Sequence, residues 1–333
     1  MVDGVLFNRM YKIAIIGAGQ LGSRHLQALL KINVDVAIEV VDPSDASLEL
    51  AKQRAAEIPA NAKIESVRYL NSITALSKEL DVCIIATTAN VRFELMEKLV
   101  AHTKIKYFVL EKILFQKFEE YQKAEDLLIA NGIKAWVNCP RRLFPVYQQL
   151  KSLIIPNEKI TYTVIGGEWG LACNAIHFID HLSYLNANDE FEFDLLNSLN
   201  VIEGKRKGYY ELVGSTGGKQ NNGSELFLHS RKASAANLSI QILTDHYFWQ
   251  IDESKGELKT SSAENGWKTE LTKFSILYQS ELSNIVCEDL LMNGTCGLTP
   301  FKSSSKLHLS MLKEFAKVFV KELQIANESC PIT

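Results

Sequence analysis

YKIAIIGAGQLGSRH, residues 11–25, is the stretch on which the fold turns. Its first six residues are mostly apolar and rich in isoleucine, which suits a strand buried on both faces. Gly17, Gly19 and Gly22 come next in G-x-G-x-x-G spacing, with a helical pattern after them. In that setting the first glycine permits a tight turn, the second lets the backbone approach a pyrophosphate, and the third lets the helix pack close to its strand. Gln20 and Leu21 complete the turn, and the free N–H groups of the helix start favour an anion. A second strand, VAIEVVD, ends at Asp42, 20 residues after Gly22. A carboxylate there accepts hydrogen bonds from ribose hydroxyls and repels a 2′-phosphate, so NAD is expected and NADP is the less favoured cofactor. Asp42 also reads as a helix-start residue before Pro43 and Ser44.

Outward from this turn, VDVAIEVV, DVCIIA, KYFVLE and IKAWVN read as further strands. SDASLELAKQRAAEI, VRFELMEKLVAH and KFEEYQKAEDLLIANG read as helices between them, the last stopped by Gly132. Such alternation predicts a parallel sheet covered on both faces. Past residue 155 the pattern changes. ANLSIQIL puts Leu238, Ile240 and Ile242 on one face and leads through a short turn into HYFWQIDE, a hairpin signature in an antiparallel sheet. GSTGGKQNNGS (214–224) reads as a mobile loop between strands, and helices are expected around 276–293 and 304–323. The chain has 333 residues, more than one core of about 250–300 residues accommodates, so two domains are expected, 1–135 and 136–333.

The formal charge of −3, with no long basic run, offers no field for nucleic acid or an anionic membrane, and neither is an expected partner. No apolar stretch approaches the roughly 20 residues that span a bilayer. The start, MVDGVLFNRM, lacks the basic-then-apolar order of a signal peptide, so a cytoplasmic protein is expected. Cys83, Cys139, Cys173, Cys287, Cys296 and Cys330 form no C-x-x-C pair and read as reduced thiols.

GAGQLGSRH, IATTAN (85–90), VLEK (109–112) and GGEWGLACNAIHFID (166–180) occur in an order that resembles the glucose-fructose oxidoreductase, inositol dehydrogenase and MocA family. The resemblance implies an α/β fold: an N-terminal Rossmann doubly wound parallel sheet, then an α/β domain with a large open, mainly antiparallel sheet. It also implies an active site between the domains, NAD(P)-dependent chemistry on a carbinol of a sugar, cyclitol or related molecule, and a homodimer or homotetramer joined through the C-terminal sheet. By resemblance, Thr87, Thr88, Asn90 and Glu111 join the glycine turn and Asp42 in binding cofactor. The family's E-K-P is matched by Glu111 and Lys112, with Ile113 in place of proline, and its usual proline, asparagine and histidine after Thr87 become Thr88, Ala89 and Arg92. A lysine at the carboxyl end of a parallel strand faces the crevice where ligands bind.

On a helix of about 100° per residue, residues 173–185 separate into two sides. Ala175, Phe178, Ile179, Leu182 and Leu185 share one arc, and Cys173, Asn174, His177, Asp180, His181 and Tyr184 the other. His177 and Asp180 match the family's H-x-x-D, which implies that His177 meets the same substrate oxygen as Lys112. Imidazole suits proton transfer near neutral pH. Many relatives carry an aspartate four residues before this histidine, where Cys173 stands here. His177 and His181, at i and i+4, could also reach one metal, but Phe178 replaces the glutamate of H-E-x-x-H and no metal is expected. Arg142, Trp169, Asn174 and Asp180 are the substrate-binding candidates. Arg92, Arg141 and Arg142 suit a carboxylate or phosphate on the substrate, and Trp169 suits a sugar face. Lys112 and His177 are the expected catalytic pair for hydride transfer to or from a polyhydroxylated, nucleotide-linked or acidic sugar derivative. The alternative is a non-catalytic sugar or dinucleotide sensor or scaffold on the same fold.

Overall fold

The computed structural model describes residues 9–194, 199–325 and 329–333; the first eight residues of the leader lie outside the described residues. The chain forms two compact units. Unit 1 comprises Met1–Glu111, Ala124–Asn138 and Leu277–Leu298; unit 2 comprises Lys112–Lys123, Cys139–Ile276 and Thr299–Thr333. Neither is a single run, so a lone cut at residue 135 does not describe the packing.

Unit 1 begins with β1 (Tyr11–Ile16), α1 (Gly22–Leu29), β2 (Val36–Val41), α2 (Asp45–Ala55) and β3 (Ile64–Leu70). There follow β4 (Glu79–Ile85), α3 (Ala89–His102) and β5 (Lys104–Leu110), then α4 (Glu119–Ala130) and β6 (Lys134–Val137). The strands lie in the order β6-β5-β4-β1-β2-β3, all parallel. That order reverses between β1 and β4, where open α/β sheets place a ligand at the carboxyl strand ends. Ile13, Ala14, Ile15 and Ile16 are all buried, so both faces of β1 are covered. Sequence reading missed β3 because this edge strand, IESVRYL, is half exposed and follows no clean period.

Unit 2 contains α5 (Pro145–Leu153), β7 (Thr161–Gly167), α6 (Leu171–Asn186), β8 (Phe191–Asp194), β9 (Leu199–Glu203), β10 (Tyr210–Gln220) and β11 (Glu225–Arg231). The next strands are β12 (Ser239–Leu243), β13 (Tyr247–Asp252), β14 (Glu257–Ser262) and β15 (Glu270–Lys273). Its sheet runs β15-β14-β13-β12-β7-β11-β10-β8, with β9 also on β10. Only β7 and β11 pair in parallel among these ladders. After α7 (Ser283–Asn293), which packs on β4 and α1 in unit 1, the chain ends in α8 (Phe301–Leu323). Helices α6 and α8 pack on unit 2's sheet, burying Tyr162, Val164, Ile240 and Ile242. The other face exposes Ile165, Phe227 and Leu243 at 46, 39 and 45 %.

The glycine-rich 214–224 is not the expected loop. Its first seven residues belong to β10, paired with β8 on one side and β11 on the other. A Cβ on Gly218 would lie 2.4 Å from the Glu192 carbonyl oxygen and 2.6 Å from the Phe191 ring, so glycine here serves close strand approach rather than mobility.

Candidate active site

The turn after β1 uses each glycine differently. Gly17 has φ 96°, the left-handed region, and a Cβ on it would crowd Ala86 at 3.0 Å. A Cβ on Gly22 would lie 1.7 Å from the Gly17 carbonyl oxygen, so only glycine lets α1 start so close to the turn. Gly19 meets nothing within 4 Å, leaving open space where a pyrophosphate would approach. Helix α1 starts at Leu21–Gly22 with no side-chain cap; the Ser23 and Arg24 N–H groups donate to the Gly19 and Leu21 carbonyls, and the Leu21 and Gly22 N–H groups at the very start suit an anion. Arg54 on α2 clamps the turn, donating to the Gln20 carbonyl at 2.8 Å and the Ser23 hydroxyl at 2.6 Å.

Asp42 accepts from the Ala18 N–H at 2.8 Å through one oxygen and from the Ser44 N–H at 2.9 Å through the other. It therefore ties the end of β2 to the turn, and a carboxylate's remaining lone pairs leave capacity for a ribose hydroxyl. Thr87, just past β4, has a buried hydroxyl with no hydrogen-bond partner among the described residues. Thr88 is the residue before α3, and Asn90 lies in its first turn. Open space at Gly19, an uncapped helix start and an orphaned hydroxyl together fit a dinucleotide.

Glu111 departs from the expectation of direct cofactor contact. It is 4 % exposed, lies 2.9 Å from His25 Nε2 and accepts from Asn138 Nδ2. His25 Nδ1 sits 2.7 Å from the Ser283 hydroxyl, and Gln279 accepts from Asn138 at 2.7 Å and donates to Ser283 at 2.9 Å. This buried network fixes the carboxyl end of β5 to α1 and to the start of α7.

In unit 2, Lys112 donates to the Cys173 carbonyl at 3.1 Å and to Asn174 Oδ1 at 3.2 Å. The Lys112–Ile113 peptide is cis. Asn174 turns its Nδ2 to the Trp169 carbonyl at 2.8 Å, so the ammonium meets its oxygen. His177, one turn along α6, has a buried Nδ1 without a partner among the described residues. Burial first, then the charges of Lys112, Arg141 and His308, hold its imidazole well below the ordinary range. It is neutral at pH 7, able to accept a proton at Nδ1. Cys173 is no nucleophile: burial pushes its thiol up to about 12.

The other substrate candidates point inward or are engaged. Asp180 is fully buried and forms a two-pronged pair with Arg142, Nε–Oδ2 2.7 Å and Nη2–Oδ1 3.1 Å, with Thr299 as a further donor. The substrate-binding candidates Asp180 and Arg142 are thus paired with each other in this structure. Arg141 is likewise held by Glu253, at 2.9 and 2.7 Å, and Arg92 is buried, donating to the Thr87 carbonyl. Trp169, half-buried, donates to the His229 carbonyl at 2.9 Å and packs edge-on to Phe178. The polar side of α6 is no exposed row: His181 is buried against the Tyr162 hydroxyl at 2.8 Å.

Compared with known proteins, residues 11–139 match the oxidoreductase family with an NAD-binding Rossmann fold named for Gfo, Idh and MocA. That match covers less than half of the chain and agrees with the resemblance seen in the sequence. No curated protein matches the sequence. Among solved structures, an oxidoreductase from Agrobacterium radiobacter in complex with NAD+, L-tartaric acid and magnesium is 15 % identical, with TM-score 0.69 over 92 % of this chain and 96 % of that one. A scyllo-inositol dehydrogenase from Lactobacillus casei is 16 % identical, TM-score 0.64, over 93 and 97 %. The transcriptional regulator Gal80p from Kluyveromyces lactis is 15 % identical, TM-score 0.66, over 95 and 91 %. At such identities these likenesses establish the fold alone.

Within the matched region, sequence reading overlooked the role of His25 although it quoted the residue. Its place three residues after Gly22, on the helix side turned inward, was the available signal. Ser283, Gln279 and Asn138 carried none, since they reach His25 and Glu111 only through the folded chain. The same holds in unit 2 for Glu211 on β10, whose carboxylate accepts from the Ala172 N–H at 2.8 Å.

Proposed function

We propose that the protein is an NAD-dependent oxidoreductase that moves a hydride between the nicotinamide and a carbinol or carbonyl carbon of a sugar, cyclitol or sugar-derived molecule. The observation that carries this reading is the pairing, in one unit, of an ammonium anchored on the first turn of α6 with a neutral imidazole on the next turn whose Nδ1 has no partner. The turn from Gly17 to Gly22, with Asp42, Thr87, Thr88 and Asn90, would hold the dinucleotide. When bound, NAD supplies the hydride acceptor or donor. Lys112 donates a hydrogen bond to the substrate oxygen and stabilises charge that develops there. His177 takes the hydroxyl proton at Nδ1 in oxidation and returns it in reduction. Glu111, through His25 and Asn138, holds the strand end that precedes Lys112.

We further infer that the protein works in the cytosol as a homodimer or homotetramer joined through the face bearing Ile165, Phe227 and Leu243. Among the described residues no helix is long and apolar enough to cross a membrane.

The deciding experiment is Lys112→Ala. Turnover on a sugar and cyclitol panel should fall by at least about 100-fold, the scale of a lost proton-handling group, with NADH affinity by nicotinamide fluorescence unchanged. Retained turnover overturns the assignment. A parent protein that binds NADH but turns over no panel member is instead the sensor or scaffold, and tighter NADPH than NADH binding removes the argument from Asp42.

A further inference from the structure

Gly170 precedes α6 in the left-handed conformation, φ 75°. Three polar atoms converge on the place where its Cβ would be: Asn174 Nδ2 at 3.0 Å, Cys173 Sγ at 3.3 Å and Glu211 Oε1 at 3.3 Å. The other Glu211 oxygen accepts from the Ala172 N–H at 2.8 Å. Lys112 reaches the same turn of helix, through the Cys173 carbonyl and Asn174 Oδ1. A carboxylate from β10 and the ammonium of Lys112 thus both bear on Cys173, at the first turn of α6. Apart from burial, both act on the Cys173 thiol, the ammonium lowering its pKa and the carboxylate raising it.

The charge balance around them is informative. Arg141 and Arg142 are each taken by a carboxylate in two-pronged fashion, Glu253 and Asp180. Among the described residues, neither Lys112 nor Glu211 takes part in an ion pair within 4.0 Å. An acidic substrate group would therefore find no spare guanidinium here, and the attraction of the one ammonium, Lys112, would be offset by the Glu211 carboxylate beside it. A hydroxyl meets an acceptor, because a carboxylate offers about four lone-pair directions, and the Ala172 N–H and the Cys173 thiol occupy two of them.

We propose that Glu211 determines specificity at this site: its carboxylate accepts a hydroxyl of an uncharged sugar unit held beside Lys112 and repels a sugar carrying a carboxylate there. This rests on the hydride-transfer reading for what the site binds, and adds the residue and the charge class. It applies to the sugar unit itself, whether free or linked to a nucleotide.

The test uses the full chain loaded with NADH and three matched pairs: glucose and glucuronate, galactose and galacturonate, UDP-glucose and UDP-glucuronate. Binding is read from nicotinamide fluorescence. The parent should bind the neutral member of at least one pair more tightly than its acid. Glu211→Gln should narrow that gap by about tenfold to a hundredfold, the scale of a hydrogen bond to a charged group. Its melting temperature should hold, since the amide oxygen still accepts from Ala172. Glu211→Asp, which keeps the charge, should keep the rejection of acids and guards against a Gln variant that fails to fold. A parent that prefers the acid, a parent that binds no pair, or a Gln variant that weakens neutral and acidic members alike overturns the proposal. Neutral-selective binding without turnover supports it while removing the hydride-transfer reading.

Discussion

Gly19 and Gly22 are three positions apart, and their surroundings predict opposite outcomes for the same substitution. Gly19→Ala places a methyl in open space. It should leave the melting temperature nearly unchanged, as substitutions without a buried contact alter stability by less than about 0.5 kcal/mol, and yet weaken NADH binding measured by fluorescence. Gly22→Ala forces a Cβ into the Gly17 carbonyl and should cost about 1–3 kcal/mol in urea unfolding, the range for overpacking. At His177 the prediction concerns pH. Its imidazole stays neutral until well below the ordinary range, so kcat/KM should hold as pH falls past 6.5 and decline only in more acid solution. Stability moves sooner. Between the depressed folded value and about 6.5 the unfolded chain binds protons that the folded chain does not, and His177 and His181 both contribute. Their contribution is complete above that window and is lost as pH falls through it; His181→Asn should flatten the slope of unfolding free energy against pH there.

At the scale of elements, the sequence was most readable where pattern and burial coincide. β1, β2, β4 and β5 are apolar runs because each is covered on both faces, and α6 showed its core side because Ala175, Phe178, Ile179, Leu182 and Leu185 follow helical spacing. The opposite side of α6 misled, since a polar residue facing a buried partner looks the same in sequence as one facing water. Asp180 is the clearest case. Arg142→Ala would strand its carboxylate in a dry site and should destabilise the fold by about 3–5 kcal/mol in denaturant titration, far more than a surface arginine. An undiminished midpoint would return Arg142 to the list of ligand-facing groups. β10 misled for another reason: Gly217 and Gly218 suggest a loop by composition, whereas Phe191 and the β8 backbone need the room. Glu211 and the partners of His25 were illegible because nothing near them in sequence marks the residues they meet.

At the scale of the whole molecule, the chain's return to unit 1 at Leu277–Leu298 was not foreseen. A helix closing a distant sheet carries the same amphipathic pattern as one closing its own. The uncovered face of unit 2's sheet is the large-scale feature with the plainest consequence. Ile165, Phe227 and Leu243 lie on β7, β11 and β12, three neighbouring strands, and point away from α6 and α8. Large apolar side chains exposed on one open sheet face, set among Thr161, Thr163 and Gln241, suit association with a second copy. Phe227→Glu combined with Ile165→Lys should shift the protein to a monomer in sedimentation while NADH binding persists; an unchanged sedimentation coefficient removes this face as the contact.

The thiols give each unit its own clock. Burial raises the pKa of Cys83 and Cys287 in unit 1 and of Cys173 and Cys330 in unit 2. Since thiolate is the reactive form, an alkylating reagent modifies the buried Cys83, Cys287 and Cys330 only as fast as the surrounding structure breathes. The rate at Cys83 thus times the opening of the parallel sheet and the rate at Cys330 the loosening around the chain's last residues, two separate records of motion obtained from one labelled sample.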